Sequence, residues 1–385
     1  MFVQLTIVVL AGLAGPLLSA GKRGLIPRVM GELAAGVVLG TTGFGVIDAT
    51  AQPLASFRTL GFAMLMLSAG THVDIGSRVI RQGFRRGTAA FAIVVALSLP
   101  LALLVDRGLG VNQFPLLAVL IAGSSGAIAF PMLEERDVSG PNIAFLIGWI
   151  AVADSLTVVA LPLALSSSAG TLGIAIGGDV AIIAAAAIAL TVMRRVRKTV
   201  PSQELTERSI ERGWALQVRL SLVLLLGLAA IAERTGASTL VAGFLAGMIL
   251  VRLHQPGRLA LQLSGLANGF FVPVFFVLLG AQLNLRALVT SPSSLLLAFA
   301  LATAAVVTHV VAARVRAEER YVATGLAASA QLGLPAAAAS LGLSMHVLSA
   351  AAAAAVVAAG CLTLIPATVG VTMLARGRQA PTRDQ

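Results

Sequence analysis

One carboxylate is set apart by its surroundings. Asp154 sits in Gly148-Trp149-Ile150-Ala151-Val152-Ala153-Asp154-Ser155-Leu156-Thr157, about halfway through an apolar run. The other fifteen of the sixteen acidic residues fall in polar loops or near the ends of such runs, Glu32 and Asp179 among the latter. A charged Asp at the centre of a membrane helix is disfavoured by roughly 2.5 to 3.5 kcal/mol, so this group must be neutral, paired or hydrated in a cavity. Desolvation favours the protonated carboxyl and a bound cation favours the ionised one. A single carboxylate next to water therefore holds either a proton or a monovalent cation, and competition between the two is the simplest basis for exchange. Hard cations also want neutral oxygens. Ser155 and Thr157 beside the acid, and the hydroxyls and freed carbonyls around Ser124 and Ser125, are the candidates to supply them. The plainer alternative is an Asp kept protonated and hydrogen-bonded to a neighbouring helix.

The backbone around these residues is interrupted twice. Gly123-Ser124-Ser125-Gly126 precedes Pro131 in one apolar run, and Ser329 and Gln331-Leu332-Gly333-Leu334-Pro335 occupy the middle of another. Glycine weakens a helix and proline removes a hydrogen bond, so each run is expected to unwind partway across. Broken backbone survives in a bilayer only where it is buried in protein or lines a cavity. Either break alone is accounted for by close helix packing, in which small residues are enriched. A pair of them in corresponding positions of two halves is the sequence signature of a transporter site.

The elements that carry these breaks fill the chain. Of its 385 residues 58% are hydrophobic and 11% charged, against about 25% charged in an ordinary soluble domain. Apolar runs near 2–20, 29–46, 54–73, 88–105, 114–133, 142–165, 180–192, 215–232, 238–251, 259–279, 294–313, 321–341 and 347–374 predict thirteen spans. The breaks fall in the fifth and twelfth, and Asp154 in the sixth. Spans four to six and eleven to thirteen start on opposite sides of the membrane, the arrangement of an inverted repeat. The expected organisation is an N-terminal transmembrane half (1–193), a cytoplasmic linker (194–213), a C-terminal transmembrane half (214–376) and a short cytoplasmic tail (377–385).

The net charge of +11 belongs to topology, not to nucleic-acid binding. Twenty-two of the 27 basic residues fall in one set of alternate loops and four in the other, leaving Arg219 within a span. The positive-inside rule then puts the N-terminus outside and the C-terminus in the cytoplasm of a bacterial-type inner membrane. With no basic residue before it and three just after it, the first span reads as a retained helix, not a cleaved signal.

Other chemistry is thinly supported. The lone Cys361 permits neither an internal disulfide nor a thiolate metal cluster. No phosphate-binding Gly-rich loop ending in Lys-Ser or Lys-Thr is present, and no organic cofactor is implied. An intramembrane aspartyl protease needs two facing acids, and only Asp154 is deep. His72, His254 and His346 lie at span ends or in loops. His309 lies inside the eleventh span, where proton relay or pH sensing and plain packing are both open.

At these residues the chain resembles the monovalent cation:proton antiporter superfamily, on the side that includes bacterial Na⁺/H⁺ exchangers and the membrane parts of K⁺ efflux systems. The similarity runs in order along nearly the whole chain. It is carried by Pro27-Arg28-Val29-Met30-Gly31-Glu32-Leu33-Ala34-Ala35-Gly36-Val37-Val38-Leu39-Gly40, by Met64-Leu65-Met66-Leu67-Ser68-Ala69-Gly70-Thr71-His72-Val73-Asp74 and by Ser124-Ser125-Gly126-Ala127-Ile128-Ala129-Phe130-Pro131-Met132-Leu133. Phe270-Phe271-Val272-Pro273-Val274-Phe275-Phe276-Val277-Leu278-Leu279-Gly280 and the Asp154 helix complete the set. The resemblance implies an all-α polytopic membrane protein with two crossed discontinuous helices and a homodimer of thirteen-helix protomers. It further implies a six-helix core that moves as an elevator and an ion held at Asp154, with Gly126, Ala153, Gln331, His309 and Glu32 in support.

Three departures carry meaning. The position before the acid, commonly Asp or Asn in the family, is Ala153, and Gly126 stands where Thr is usual. The lysine that many members carry in the eleventh span is missing. One titrating acid without a lysine partner favours one-for-one, electroneutral exchange of Na⁺ or K⁺ for H⁺. The same losses imply a larger and less polar cavity around Ala153 and Gly126, which keeps open proton-coupled transport of an organic solute, or a sensor that no longer transports.

Overall fold

Every apolar run becomes helix, because a backbone in lipid must satisfy its polar groups internally. In chain order the helices of the computed structural model are α1 (Phe2–Gly12), α2 (Ala14–Ser19), α3 (Arg28–Leu39), α4 (Gln52–Thr71), α5 (Arg78–Leu109), α6 (Phe114–Ala122), α7 (Gly126–Glu134), α8 (Pro141–Ala164), α9 (Ala169–Arg197) and α10 (Val200–Glu211). There follow α11 (Leu216–Thr235), α12 (Thr239–Arg252), α13 (Gly257–Leu266), a π-helical turn (Ala267–Phe271), α14 (Val272–Gln282), α15 (Leu285–Thr290), α16 (Pro292–Arg316), α17 (Tyr321–Ala328), α18 (Gly333–Ser344) and α19 (Ala350–Arg376). The structure describes residues 2–20, 27–71, 78–134, 136, 141–166, 169–235, 238–253, 257–316 and 320–376, and no strand occurs among them. His72, Asp74, His254 and the tail 377–385 lie outside the described residues.

Among the described residues ten helical stretches are long and apolar enough to cross a membrane. The second, fifth and ninth of the thirteen expected spans are not among them. Their helices are short: α3 has 12 residues, the fifth run is divided into α6 and α7 of nine each, and α12 has 14. The polar stretch 194–213 is largely helical, since α9 continues through Arg197 and α10 follows.

Both expected interruptions are present. In the first, Gly123 turns to extended backbone (ψ 152°) after the end of α6, and the Ser125 carbonyl accepts the Ala129 N–H at 3.0 Å to start α7. In the second, α17 stops at Ala328 and α18 starts at Gly333. Pro335 falls in the first turn of α18, where a helix leaves its N–H groups unbonded in any case. The tenth run, expected as one regular helix, instead contains the π turn.

The contacts divide into two compact units, each drawing segments from both halves of the sequence. One comprises Met1–Ala55, Ile75–Leu165 and Phe276–Gln385, the other Ser56–Asp74 and Ser166–Phe275. The first unit contains both broken helices and α8. There α5 packs along α8, and glycines set how close they come: a Cβ at Gly87 would lie 2.6 Å from the backbone nitrogen of Trp149, and one at Gly148 2.8 Å from the Gly83 carbonyl carbon. Such backbone-to-backbone approach is a principal source of helix association where the lipid offers no hydrophobic drive. It fixes α8, and with it Asp154, to its neighbour. In the second unit α9 packs on α11 and α12, and Phe62 stacks on Phe275 with ring centroids 5.3 Å apart.

Candidate functional site

The first break and α8 meet at one hydrogen bond. Asp154 is 5% exposed, and its Oδ2 accepts the backbone N–H of Gly126 at 3.0 Å. Gly126 is the first residue of α7, so the carboxyl group lies against unbonded N–H groups and the positive end of a helix dipole, a place that suits negative charge. Break and acid thus form one feature, which the sequence presented as two.

The two breaks are also bonded to each other. Ser124 Oγ donates to the Ala328 carbonyl, and the Ser125 N–H donates to the Ala330 carbonyl at 2.8 Å. Each interruption therefore supplies what the other lacks, N–H and O–H donors from the first and free carbonyls from the second. Buried polar groups left unmatched would each cost about 1 to 3 kcal/mol.

The remaining candidates lie on α8, in the second break, on α3 and on α16. Ser155 and Thr157 turn their hydroxyl protons back into their own helix, to the carbonyls of Ala151 and Ala153, both at 2.7 Å. Their oxygen lone pairs remain available, although neither hydroxyl bonds the Asp154 carboxyl. Gln331 lies in the second break, where its N–H donates to Thr363 Oγ1 at 3.3 Å. Its buried amide oxygen has no hydrogen-bond partner, and it borders a cavity with room for about one water molecule, which Thr363, Pro335 and Leu120 also line. Glu32 is buried in α3 beside Gly15 of α2, with one carboxyl oxygen unbonded. Its helix α3 packs on α1 and α2.

His309 is a packed residue. Its Nδ1 donates to the Ala305 carbonyl at 2.7 Å, which leaves Nε2 as an acceptor with no partner. The ring stacks on Trp149 with centroids 5.5 Å apart and planes 15° apart. Trp149 is on α8, five residues before Asp154, so His309 bears on the site through the packing of that helix.

The roomier cavity expected around Ala153 and Gly126 is not open on the Gly126 side. A Cβ there would lie 2.7 Å from Phe130 Cε2 and 3.3 Å from Asp154 Oδ2, so the ring of Phe130 fills the space that a side chain at 126 would occupy. Ala153 is fully buried in the same apolar cluster as Ile150 and Ala327. Among the described residues no group of three His, Cys, Asp or Glu side chains is placed to hold a metal ion. Any cation at Asp154 would draw its other ligands from hydroxyls, carbonyls and water.

A second buried carboxylate lies within an apolar helix. Asp179, expected near the edge of a span, lies inside the apolar stretch Leu172–Arg197 of α9. The run before it, Ala169-Gly170-Thr171-Leu172-Gly173-Ile174-Ala175-Ile176-Gly177-Gly178, is so rich in small residues that its hydropathy understated the helix.

With this geometry in hand, similarity to known proteins is informative. Residues 5–377 match the family described as "Sodium/hydrogen exchanger, transmembrane". The chain is 26% identical over 369 residues to the putative Na⁺/H⁺ antiporter YjbQ of Bacillus subtilis, a match that takes in 90% of this chain and 58% of that protein. It is 24% identical over 262 residues to the Na⁺/H⁺ antiporter of Enterococcus hirae, covering 67% of each. Among solved structures, the sodium proton antiporter MjNhaP1 of Methanocaldococcus jannaschii superposes over the full length of both chains with a TM-score of 0.65 at 16% identity. That likeness shows the fold, a helical polytopic membrane fold. The family match covers nearly the whole chain, and the protein belongs to the transmembrane sodium/hydrogen exchanger family.

Proposed function

We propose that this protein exchanges a monovalent cation, Na⁺ or K⁺, for H⁺ across the membrane, with Asp154 holding the two in alternation. The observation that carries this reading is the bond between Asp154 Oδ2 and the Gly126 N–H. It sets the acid against the start of a half-helix inside the bilayer, where the ionised carboxylate is stabilised; the attraction for a cation comes from that carboxylate and from the oxygens around it. The names of the relatives from Bacillus and Enterococcus, both Na⁺/H⁺ antiporters, support the same class of substrate.

The cation is proposed to sit at Asp154 with oxygens from Ser155, Thr157, Ser124 and Ser125, and with Gly126, Ala153, Gln331, His309 and Glu32 shaping the surroundings. One acid on α8 and no lysine on α16 support a one-for-one, electroneutral cycle. Crossing of the two broken helices, the inverted repeat of spans four to six and eleven to thirteen, the two transmembrane halves 1–193 and 214–376, elevator movement, a homodimer, and an outside N-terminus with a cytoplasmic C-terminus complete the proposal. These rest on the resemblance and on the charge of the loops. Against transport of an organic solute stands Phe130, whose ring fills the space beside Gly126 that a side chain at that position would take.

Proteoliposomes with an acid interior test the proposal. Added Na⁺, Li⁺ or K⁺ should dissipate the pH gradient, and Asp154→Asn should reduce the response to that of empty liposomes. Because the acid must lose its proton to bind the cation, the apparent KM should rise about tenfold for each pH unit of acidification below the carboxyl's titration. A gradient that collapses without any alkali cation, or an Asp154→Asn protein that still responds, would overturn the assignment.

A further inference from the structure

Asp179 has no part in the cycle just described, and its setting is chemically distinct. On α9 the residues Ala175, Gly178, Asp179, Ile182 and Ala186 are buried, while Ile174, Ile176, Val180 and Ile183 on the other side are exposed and apolar. The acid therefore lies on the inward stripe of a helix whose outer face suits lipid. It is 4% exposed, and neither carboxyl oxygen has a hydrogen-bond partner. Among the described residues the elements that pack most on α9 are α11, α12 and α10. On α12 no ionisable side chain precedes Arg252, and on α11 none lies between Arg219 and Glu233. The charged residues of α10, Glu204, Glu207, Arg208 and Glu211, lie beyond the basic end of α9. Among the described residues no hydrogen-bond donor meets this carboxyl.

A carboxylate buried without partner or donor is uncompensated, and such a group is relieved by taking up a proton. We propose that Asp179 is a proton-binding site in its own right, in the unit that does not contain Asp154, and that its neutral acid form holds α9 against α11 and α12. Ionisation places a bare charge on the stripe that packs those helices and loosens them. The chain then carries a second intramembrane proton site, separate from cation exchange, that responds to pH.

The full-length chain carrying Asp154→Asn, reconstituted in liposomes, isolates this site from the exchange cycle. Dicyclohexylcarbodiimide is an apolar probe for protonated carboxyls in membranes. The acid O–H adds across one C=N bond and the adduct rearranges to a stable N-acylurea with no leaving group. Peptide mass spectrometry should find Asp179 modified at about pH 7, where ordinary carboxylates are ionised, with labelling that falls as pH rises. No label at Asp179 at about pH 7 would overturn the proposal. Asp179→Asn gives an independent reading, because it keeps the shape and removes the titration. A group that keeps its proton folded and loses it unfolded gives stability that is full at low pH and lost as pH rises from the ordinary carboxylate value, about 4, to the folded group's own titration. The Tm of the Asp179-containing protein should therefore drop with rising pH relative to the Asn variant, and parallel pH profiles would overturn the proposal even if both proteins fold.

Discussion

The two helix breaks arise from the same sequence chemistry and end with different tasks. The first, Gly123 to Ser125, turns donors outward. Its Ser124 hydroxyl and Ser125 N–H reach the second break, and the next N–H, that of Gly126, reaches Asp154. The second, Ser329 to Leu332, offers acceptors. The Ala330 carbonyl takes a bond from the first break, as does the Ala328 carbonyl at the end of α17, and Thr363 of α19 takes the Gln331 N–H. An unwound segment in a bilayer must place each freed group somewhere. Here carbonyls of one break are matched to donors of the other, and the Gly126 N–H meets an acid. The first break therefore addresses charge, and the second holds the first in place.

If that division of tasks is right, substitutions at the first break should cost transport more than those at the second. The largest effect, after loss of the acid itself, is expected at Gly126. In Gly126→Ala the new Cβ would press on the Phe130 ring and crowd Asp154 Oδ2, an overpacking worth about 1 to 3 kcal/mol. Directed at the carboxyl, it should slow cation-dependent proton flux by about tenfold or more. Adding Phe130→Leu should restore part of the loss, because the ring is the main obstacle. Full activity in Gly126→Ala would mean that the N–H contact to Asp154 is incidental.

Ser124→Ala comes next. It removes the hydroxyl that bonds the Ala328 carbonyl and leaves that acceptor buried without this partner, a cost of about 1 to 3 kcal/mol. A lower Tm in detergent is expected, together with a several-fold drop in flux as the two breaks lose register. A lower Tm with unchanged flux would separate holding the breaks together from the chemistry at Asp154.

The breaks and the acid were legible because both are local statements. Gly-Ser-Ser-Gly, and Gln-Leu-Gly-Leu-Pro inside an apolar run, weaken helix wherever they occur, and one Asp among twenty apolar residues is conspicuous by composition alone. What joins them was not legible. The partner of Ser124 lies 204 residues further on, and nothing in either segment names the other. The Phe130 ring was missed for a related reason: four residues from Gly126 on the same helix, it reads as ordinary apolar filling until the missing Cβ is seen to make room for it. The π turn at Ala267–Phe271 leaves the hydropathy of its run unchanged. The glycines of the second-helix motif, noted as a family pattern, have a packing basis as well. Gly36 and Gly40 bring α3 against the backbone of Val277 and Ala281 in α14, where a side chain would not fit.

The smallest effect should come from Thr363, on the far side of the second break. Its Oγ1 accepts the Gln331 N–H at 3.3 Å and donates to the Gly360 carbonyl at 2.7 Å, so it steadies the backbone one residue beyond the carbonyl that receives Ser125. Thr363→Val keeps the shape and deletes both bonds, at a cost of about 1 kcal/mol. The Gln331 N–H and the water-sized cavity beside it then become the places where water can enter. Flux at saturating cation should change less than twofold while Tm falls, because no group that faces Asp154 has been touched. A Thr363→Val protein that keeps its Tm but loses transport would reverse the assignment and make the second break a direct participant.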